Sequence, residues 1–237
     1  MLCREIVNVI ELTYPKQAAL EWDNVGLLAG RLEKEVKKIY VALEVTDEVI
    51  EAAVKMGADM LVPLIFSPLK KVTDEHFIGN RVVRLLQHDI SYYALHTNYD
   101  VLGMGQLSGK MLGLCEEEAL EVTDQEQNAG IGRIGNFKEE MSLQACCELV
   151  KTVFKLPAVR LFGDRDAKVK CAAILPGSGK HMSEIALKKG AEVLITGDID
   201  HHEGLDAVSQ GLAIIDAGHY GLEYIFIEDM VKYLRSN

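Results

Sequence analysis

Short apolar runs recur along this chain, and most are followed by stretches whose apolar positions fall three and four apart. The first pattern reads as strands buried on both faces, the second as amphipathic helices. Residues 39–43 (Ile39, Tyr40, Val41, Ala42, Leu43) are β-rich. Thr46 is placed to cap a helix from about 47 to 56 that Gly57 stops. Residues 59–66 are strand-like but interrupted by Pro63, and 81–87 have helical spacing. A strand at 90–95 delivers His96 and Asp100 at its carboxyl end, and 105–112 resemble a helix. The second series comprises a helix at 142–154 capped by Ser142, then strands at 158–162 and 169–175 around the turn Gly163-Asp164-Arg165-Asp166. A helix at 181–189, a strand at 191–196, a helix at 201–210 and a strand at 212–216 follow. A last helix starts at Gly218 or His219 and runs to about 234. The acidic, then glycine-rich stretch 115–136 reads as a connection, dividing the chain into units of about 1–125 and 126–237.

Strands alternating with helices predict an α/β fold with sheets covered on both faces. In such folds ligands sit outside the carboxyl ends of strands. Asp100, Asp198, His201 and His219 all fall at such ends.

The 237 residues suffice for one large or two small α/β domains, and the 49% hydrophobic content is that of an ordinary globular chain. The formal net charge of -11 argues against broad binding to a phosphate backbone, which needs a basic stripe. No apolar run approaches the roughly 20 residues that span a bilayer, and the first residues lack the basic and apolar segments of a signal peptide. The cysteines Cys3, Cys115, Cys146, Cys147 and Cys171 have no C-x-x-C spacing. A reduced, cytoplasmic setting is expected, with Cys146 and Cys147 serving only to pack.

The densest chemistry is at the C-terminal end. His219 and Glu223 lie four apart in Asp216-Ala217-Gly218-His219-Tyr220-Gly221-Leu222-Glu223, so on a helix they share a face and could grip one metal ion or one proton. His96 and Asp100 repeat the spacing in His96-Thr97-Asn98-Tyr99-Asp100. In Gly197-Asp198-Ile199-Asp200-His201-His202-Glu203, adjacent histidines point about 100° apart on a helix, so only one would face a common ion. Asp198 there is a candidate helix cap. Pro176-Gly177-Ser178-Gly179-Lys180 is not a Walker A loop, because Ile174 stands where its first glycine belongs, but a Gly-rich turn can still offer amides to an anion. Trp22, the lone tryptophan, is expected to anchor the N-terminal helix to the core.

Several stretches together resemble the GTP cyclohydrolase 1 type 2 homologue, or Nif-three-like, family: Glu21-Trp22-Asp23-Asn24-Val25-Gly26-Leu27, Pro63-Leu64-Ile65-Phe66 with Pro68-Leu69-Lys70, His96-Thr97-Asn98-Tyr99-Asp100, Gly197-Asp198 with His201-His202, and Gly218-His219 with Glu223. The resemblance implies two intertwined α/β units with mixed sheets, and a dinuclear metal site in a cleft that the segment 191–237 returns to complete. It gives Asp100, His219 and Glu223 the metal-ligand positions and lines the cleft with His96 and with His201 or His202, of which His96 and His201 are the candidate proton carriers. It further implies a homohexamer, a trimer of dimers. The function implied is a metal-dependent hydrolase of a nucleotide or related phosphorylated compound, using one or two divalent ions (zinc, iron or manganese suit these donors). The alternative is a metal-binding assembly or regulatory protein without turnover. In one respect the chain departs from the pattern: the family places two histidines, both metal ligands, directly before the Pro-Leu-Ile-Phe element, whereas here Val62 runs into Pro63.

Overall fold

The computed structural model describes residues 1–64, 77–124 and 129–237. Residues 65–70 of the Pro63 motif therefore lie outside the described residues. The chain forms two compact units: Met1–Tyr99 with Phe226–Asn237, and Asp100–Ile225.

In the first unit, helix α1 (Cys3–Thr13) precedes β1 (Gly26–Ala29), β2 (Ile39–Ala42), α2 (Asp47–Lys55), β3 (Met60–Pro63), α3 (Phe77–Gln87) and β4 (Ser91–Ala94). The sheet order is β1-β4-β3-β2, with β2, β3 and β4 parallel and β1 antiparallel to β4. The Thr46 hydroxyl caps α2 by accepting from the Val49 amide, as the sequence suggests. One sheet face packs Leu61, Tyr92 and Ala94 against Ile50, Ala53 and Leu85 of the two helices. Pro63 ends β3 instead of breaking it, in register with Ala42. Every residue from Met60 to Leu64 is buried, and none of them is a histidine, cysteine, aspartate or glutamate. After β4 come a short α4 (Thr97–Tyr99), a π-helical turn (Asp100–Met104) and α5 (Gly105–Leu112).

The second unit continues with β5 (Cys115–Asp124), β6 (Ala129–Ser142), α6 (Leu143–Phe154), β7 (Arg160–Phe162), β8 (Lys168–Ser178), α7 (Ser183–Lys188), β9 (Val193–Gly197), α8 (His201–Ser209), β10 (Ala213–Asp216) and α9 (His219–Glu223). Its sheet order is β5-β6-β8-β9-β10-β7, mixed, with β8, β9 and β10 parallel. Alternate residues of these three strands feed two cores. Ile174, Val193, Ile195 and Ile215 meet α6 and α9 through Val150 and Leu222, and Ala173, Leu175, Leu194 and Ile214 meet α7 and α8 through Ala186 and Ala207. This two-sided burial is why the strands read as continuous apolar runs. The final helix α10 (Ile225–Ser236) contributes Phe226 and Met230 to the first unit, where Tyr233 donates its hydroxyl to the Val9 carbonyl of α1.

Three expectations need correction. Residues 115–124 and 129–136 are not a connection but belong to the paired strands β5 and β6. Their glycines serve close approach: a side chain on Gly130 would strike the Glu121 carbonyl, and Gly132 (φ 66°) sits against Ile174. The acids of β5 line an exposed sheet edge, where charge blunts edge-to-edge pairing. The single last helix is two, α9 and α10. Trp22 is 70% exposed and does not anchor the core. Among the described residues, no helix is long and apolar enough to cross a membrane.

Candidate functional site

In the second unit, parallel strands β9 and β10 end side by side, and the Ala217 amide donates to the Thr196 carbonyl to keep their exits together. Gly197 ends β9 hard against the backbone of Gly218 and His219, an approach that only glycine allows. Gly218, at φ 77°, turns the chain into α9, whose first residue is His219. The helical i, i+4 spacing then puts His219 Nε2 3.2 Å from Glu223 Oε1. The opposite ring nitrogen, Nδ1, lies 2.7 Å from Asp198 Oδ2. Asp198 holds a left-handed backbone (φ 60°), a conformation that aspartate tolerates better than most residues. It is therefore not a helix cap: Asp200 caps α8, accepting from the Glu203 amide.

The imidazole is thus clasped between two carboxylates. The Glu223 contact, opposed by burial and reinforced by Asp198, raises the His219 pKa to about 9. A pKa raised in this direction favours the protonated imidazole at neutral pH, with Nε2 donating to Oε1. Glu223 is only 5% exposed, and its second oxygen, Oε2, is buried with no hydrogen-bond partner among the described residues. Gly177, near the end of β8, supplies the wall beside the pair: a β-carbon there would lie 2.7 Å from Glu223 Oε1 and 3.7 Å from His219 Nε2.

The first unit holds a second imidazole–carboxylate pair. Asp23 Oδ2 accepts from the Thr97 amide (3.0 Å) and the Thr97 hydroxyl (2.7 Å), and lies 3.0 Å from His96 Nδ1. Burial alone would raise the Asp23 pKa, but these hydrogen bonds and the imidazole together outweigh it and hold the carboxyl at about 2. The exposed Trp22 indole meets the His96 ring edge-on, with centroids 5.8 Å apart.

The remaining candidates are placed as follows. Asp100 opens the π-helical turn and is half-buried. His201 and His202 are exposed at the start of α8, with their rings 5.5 Å apart and tilted to each other. In the turn after β8, the Gly179 amide is taken by the Gly197 carbonyl and the His181 amide by Glu203, so these two donors do not face an anion. Sequence reasoning missed Asp23, Asp198 as a partner of His219, and Gly177. The available signal was an acidic residue directly after the Gly197 strand end.

A family model described as Duf34/NIF3 (NGG1p interacting factor 3) matches residues 1–237. The chain belongs to this family. A GTP cyclohydrolase 1 type 2 homolog of Clostridium acetobutylicum is 32% identical over 98% of the chain and 88% of its own length. Its counterpart in Streptococcus pneumoniae is 35% identical over 99% of the chain and 90% of its own length. The crystal structure of a Bacillus cereus protein related to NIF3 superposes with a TM-score of 0.90 at 26% identity, covering 100% of the chain and 92% of that structure. The expected α/β fold with two mixed sheets is the fold of this NIF3 family member.

Do these residues suit the metal that the Nif-three-like resemblance implies? An orphaned buried carboxylate oxygen, an imidazole nitrogen facing the same carboxylate, and a wall kept bare by Gly177 suit one small cation in place of the shared proton. Asp198 on Nδ1 is the outer carboxylate that a metal-ligating histidine ordinarily has. Among the described residues, no group of three or more His, Cys, Asp or Glu side chains is gathered as a metal cluster. Among the described residues the converging protein donors of this fit are His219 and Glu223.

Proposed function

We propose that this NIF3 family member is a divalent-metal-dependent hydrolase acting on a nucleotide or a related phosphorylated compound. The observation that carries the reading is the His219–Glu223 couple, at 3.2 Å, with its far ring nitrogen already committed to Asp198. His219 and Glu223 would hold the ion, and Asp100 is the third donor proposed, although the described residues do not gather it with the couple. When bound, such an ion supplies Lewis acidity and an acidified water.

The chain's own groups supply the rest. Asp198 fixes the orientation and tautomer of His219. Asp23, itself held by Thr97, faces His96 Nδ1 after β4, and His96 Nε2 would be the nitrogen that accepts or returns a proton during hydrolysis. His201 is the second proton carrier in this reading, and the functional particle is a homohexamer, a trimer of dimers. The names of the curated relatives support a nucleotide substrate.

One observation favours a second reading, a metal-binding assembly or regulatory protein without turnover: the described residues gather two donors and not three, and the buried end of β3 offers none.

The test is elemental analysis of the purified protein, followed by metal-dependent assays on GTP and a panel of phosphoesters, for wild type and His219→Ala. The expected result is about one ion per chain and turnover that His219→Ala abolishes. A protein that retains no ion contradicts the proposal. A metal-loaded protein inert across the panel supports the second reading.

A further inference from the structure

Gly177 lies where β8 passes the His219–Glu223 couple. Its backbone is left-handed, φ 91°, which disfavours any side chain, and the position of its missing β-carbon falls 2.7 Å from Glu223 Oε1. Real β-carbons essentially never approach an oxygen so closely, so a side chain at 177 forces something to move. Two backbones bound the contact. Gly177 belongs to β8 and sits at a register shift, between the pairs Ile174–Ile195 and Ser178–Gly197 with β9 and just beyond the buried Ile174 and Leu175. Glu223 belongs to α9, which is pinned by the fully buried Leu222. The freely moving element is the Glu223 carboxylate itself. Pushed by a methyl group, it would swing off Nε2, carrying with it the Oε2 that lacks a partner among the described residues.

We infer that Gly177 is a positioning residue: the absence of a side chain at 177 is what lets the buried Glu223 carboxylate close on the His219 imidazole. The inference rests on the proposed metal site for its functional meaning, but its geometric content stands apart from whether an ion binds. It also gives the Gly-rich segment at the end of β8 a role other than anion binding. Gly179 of the same segment faces Thr196 instead, so the two glycines are not interchangeable.

The decisive comparison is Gly177→Ala with Gly211→Ala. Gly211 has nearly the same backbone angle (φ 93°) in the same unit, but an added β-carbon there meets nothing within 4 Å among the described residues. It therefore carries the backbone strain without the clash. Crystal structures of the metal-free variants are expected to show His219 Nε2 and Glu223 Oε1 driven beyond hydrogen-bonding distance in Gly177→Ala and still paired in Gly211→Ala. Zinc affinity is expected to fall about 10–100-fold in the first, the range for disturbing a ligand's surroundings, and to stay within about twofold in the second. A His219–Glu223 pair that stays closed in Gly177→Ala, or that opens equally in both variants, overturns the inference.

If Gly177→Ala does not fold, the double variant Gly177→Ala/Glu223→Ala decides. Recovery of folding when the carboxylate is removed supports the clash, and failure to recover overturns it. If wild type takes up no zinc, the metal reading falls, while the metal-free geometry still decides the role of Gly177.

Discussion

Asp23 shows how one side chain ties several others down. Its Oδ2 gathers the Thr97 amide and hydroxyl and faces the His96 ring, while the Thr97 hydroxyl in turn accepts from the Leu20 amide. A carboxyl held at about 2, below its ordinary 3.8, stabilises the folded state fully above pH 3.8, and that contribution is lost as pH falls towards 2. Asp23→Asn should therefore lower stability at neutral pH and flatten the dependence of denaturant midpoint on pH between about 4 and 2. A variant with the same acid profile as wild type would show that this carboxylate is not a stabilising group. In the second unit, Asp198 and His219 repeat the pairing on a left-handed backbone. The imidazole–carboxylate couple was legible in the sequence, because i, i+4 spacing after a strand is a local signal. Asp23, Asp198 and Gly177 were not, because each is chosen by a tertiary approach that local spacing does not encode.

At the scale of elements, local and tertiary signals part company again. Strands β9 and β10 and helices α2 and α6 stood out because two-sided burial and hydroxyl caps leave continuous apolar runs and a serine or threonine at the boundary. The β5–β6 pair did not, because glycine in a sequence reads as a break. Here Gly130 lets β6 lie flush on the Glu121 carbonyl. A side chain at 130 must push the two strands apart. Gly130→Val is expected to cost about 3 kcal/mol, the upper end of ordinary single-residue effects, and to raise amide exchange selectively along β5. Exchange along β5 that matches wild type would mean that the strands have room for a side chain. The split of the last helix follows a division of labour: α9 carries the candidate site in the second unit, and α10 carries core residues of the first.

At the scale of the molecule, the chain leaves its first unit after Tyr99 and returns to it at Phe226. The return is held by an aromatic cluster in which Tyr99 packs on Phe226 (centroids 4.9 Å) and on Tyr14 (4.8 Å), and Tyr14 on Tyr233 (5.6 Å). The Tyr99 hydroxyl also donates to Asp229 at 2.7 Å. Removing the fully buried Phe226 ring should cost about 3–5 kcal/mol. The destabilisation should fall on the first unit, so that Phe226→Ala speeds hydrogen exchange across 1–99 and leaves 100–225 unchanged. Uniform acceleration would show that the two units unfold as one. For the whole chain, the proposed site requires that a cation bind between His219 Nε2 and the Glu223 carboxylate in place of a proton. Anomalous diffraction from zinc-soaked crystals tests it most directly. A peak is predicted about 2.0–2.2 Å from both His219 Nε2 and a Glu223 carboxylate oxygen, and zinc-saturated crystals that show no peak there, with the 3.2 Å contact intact, would contradict the claim.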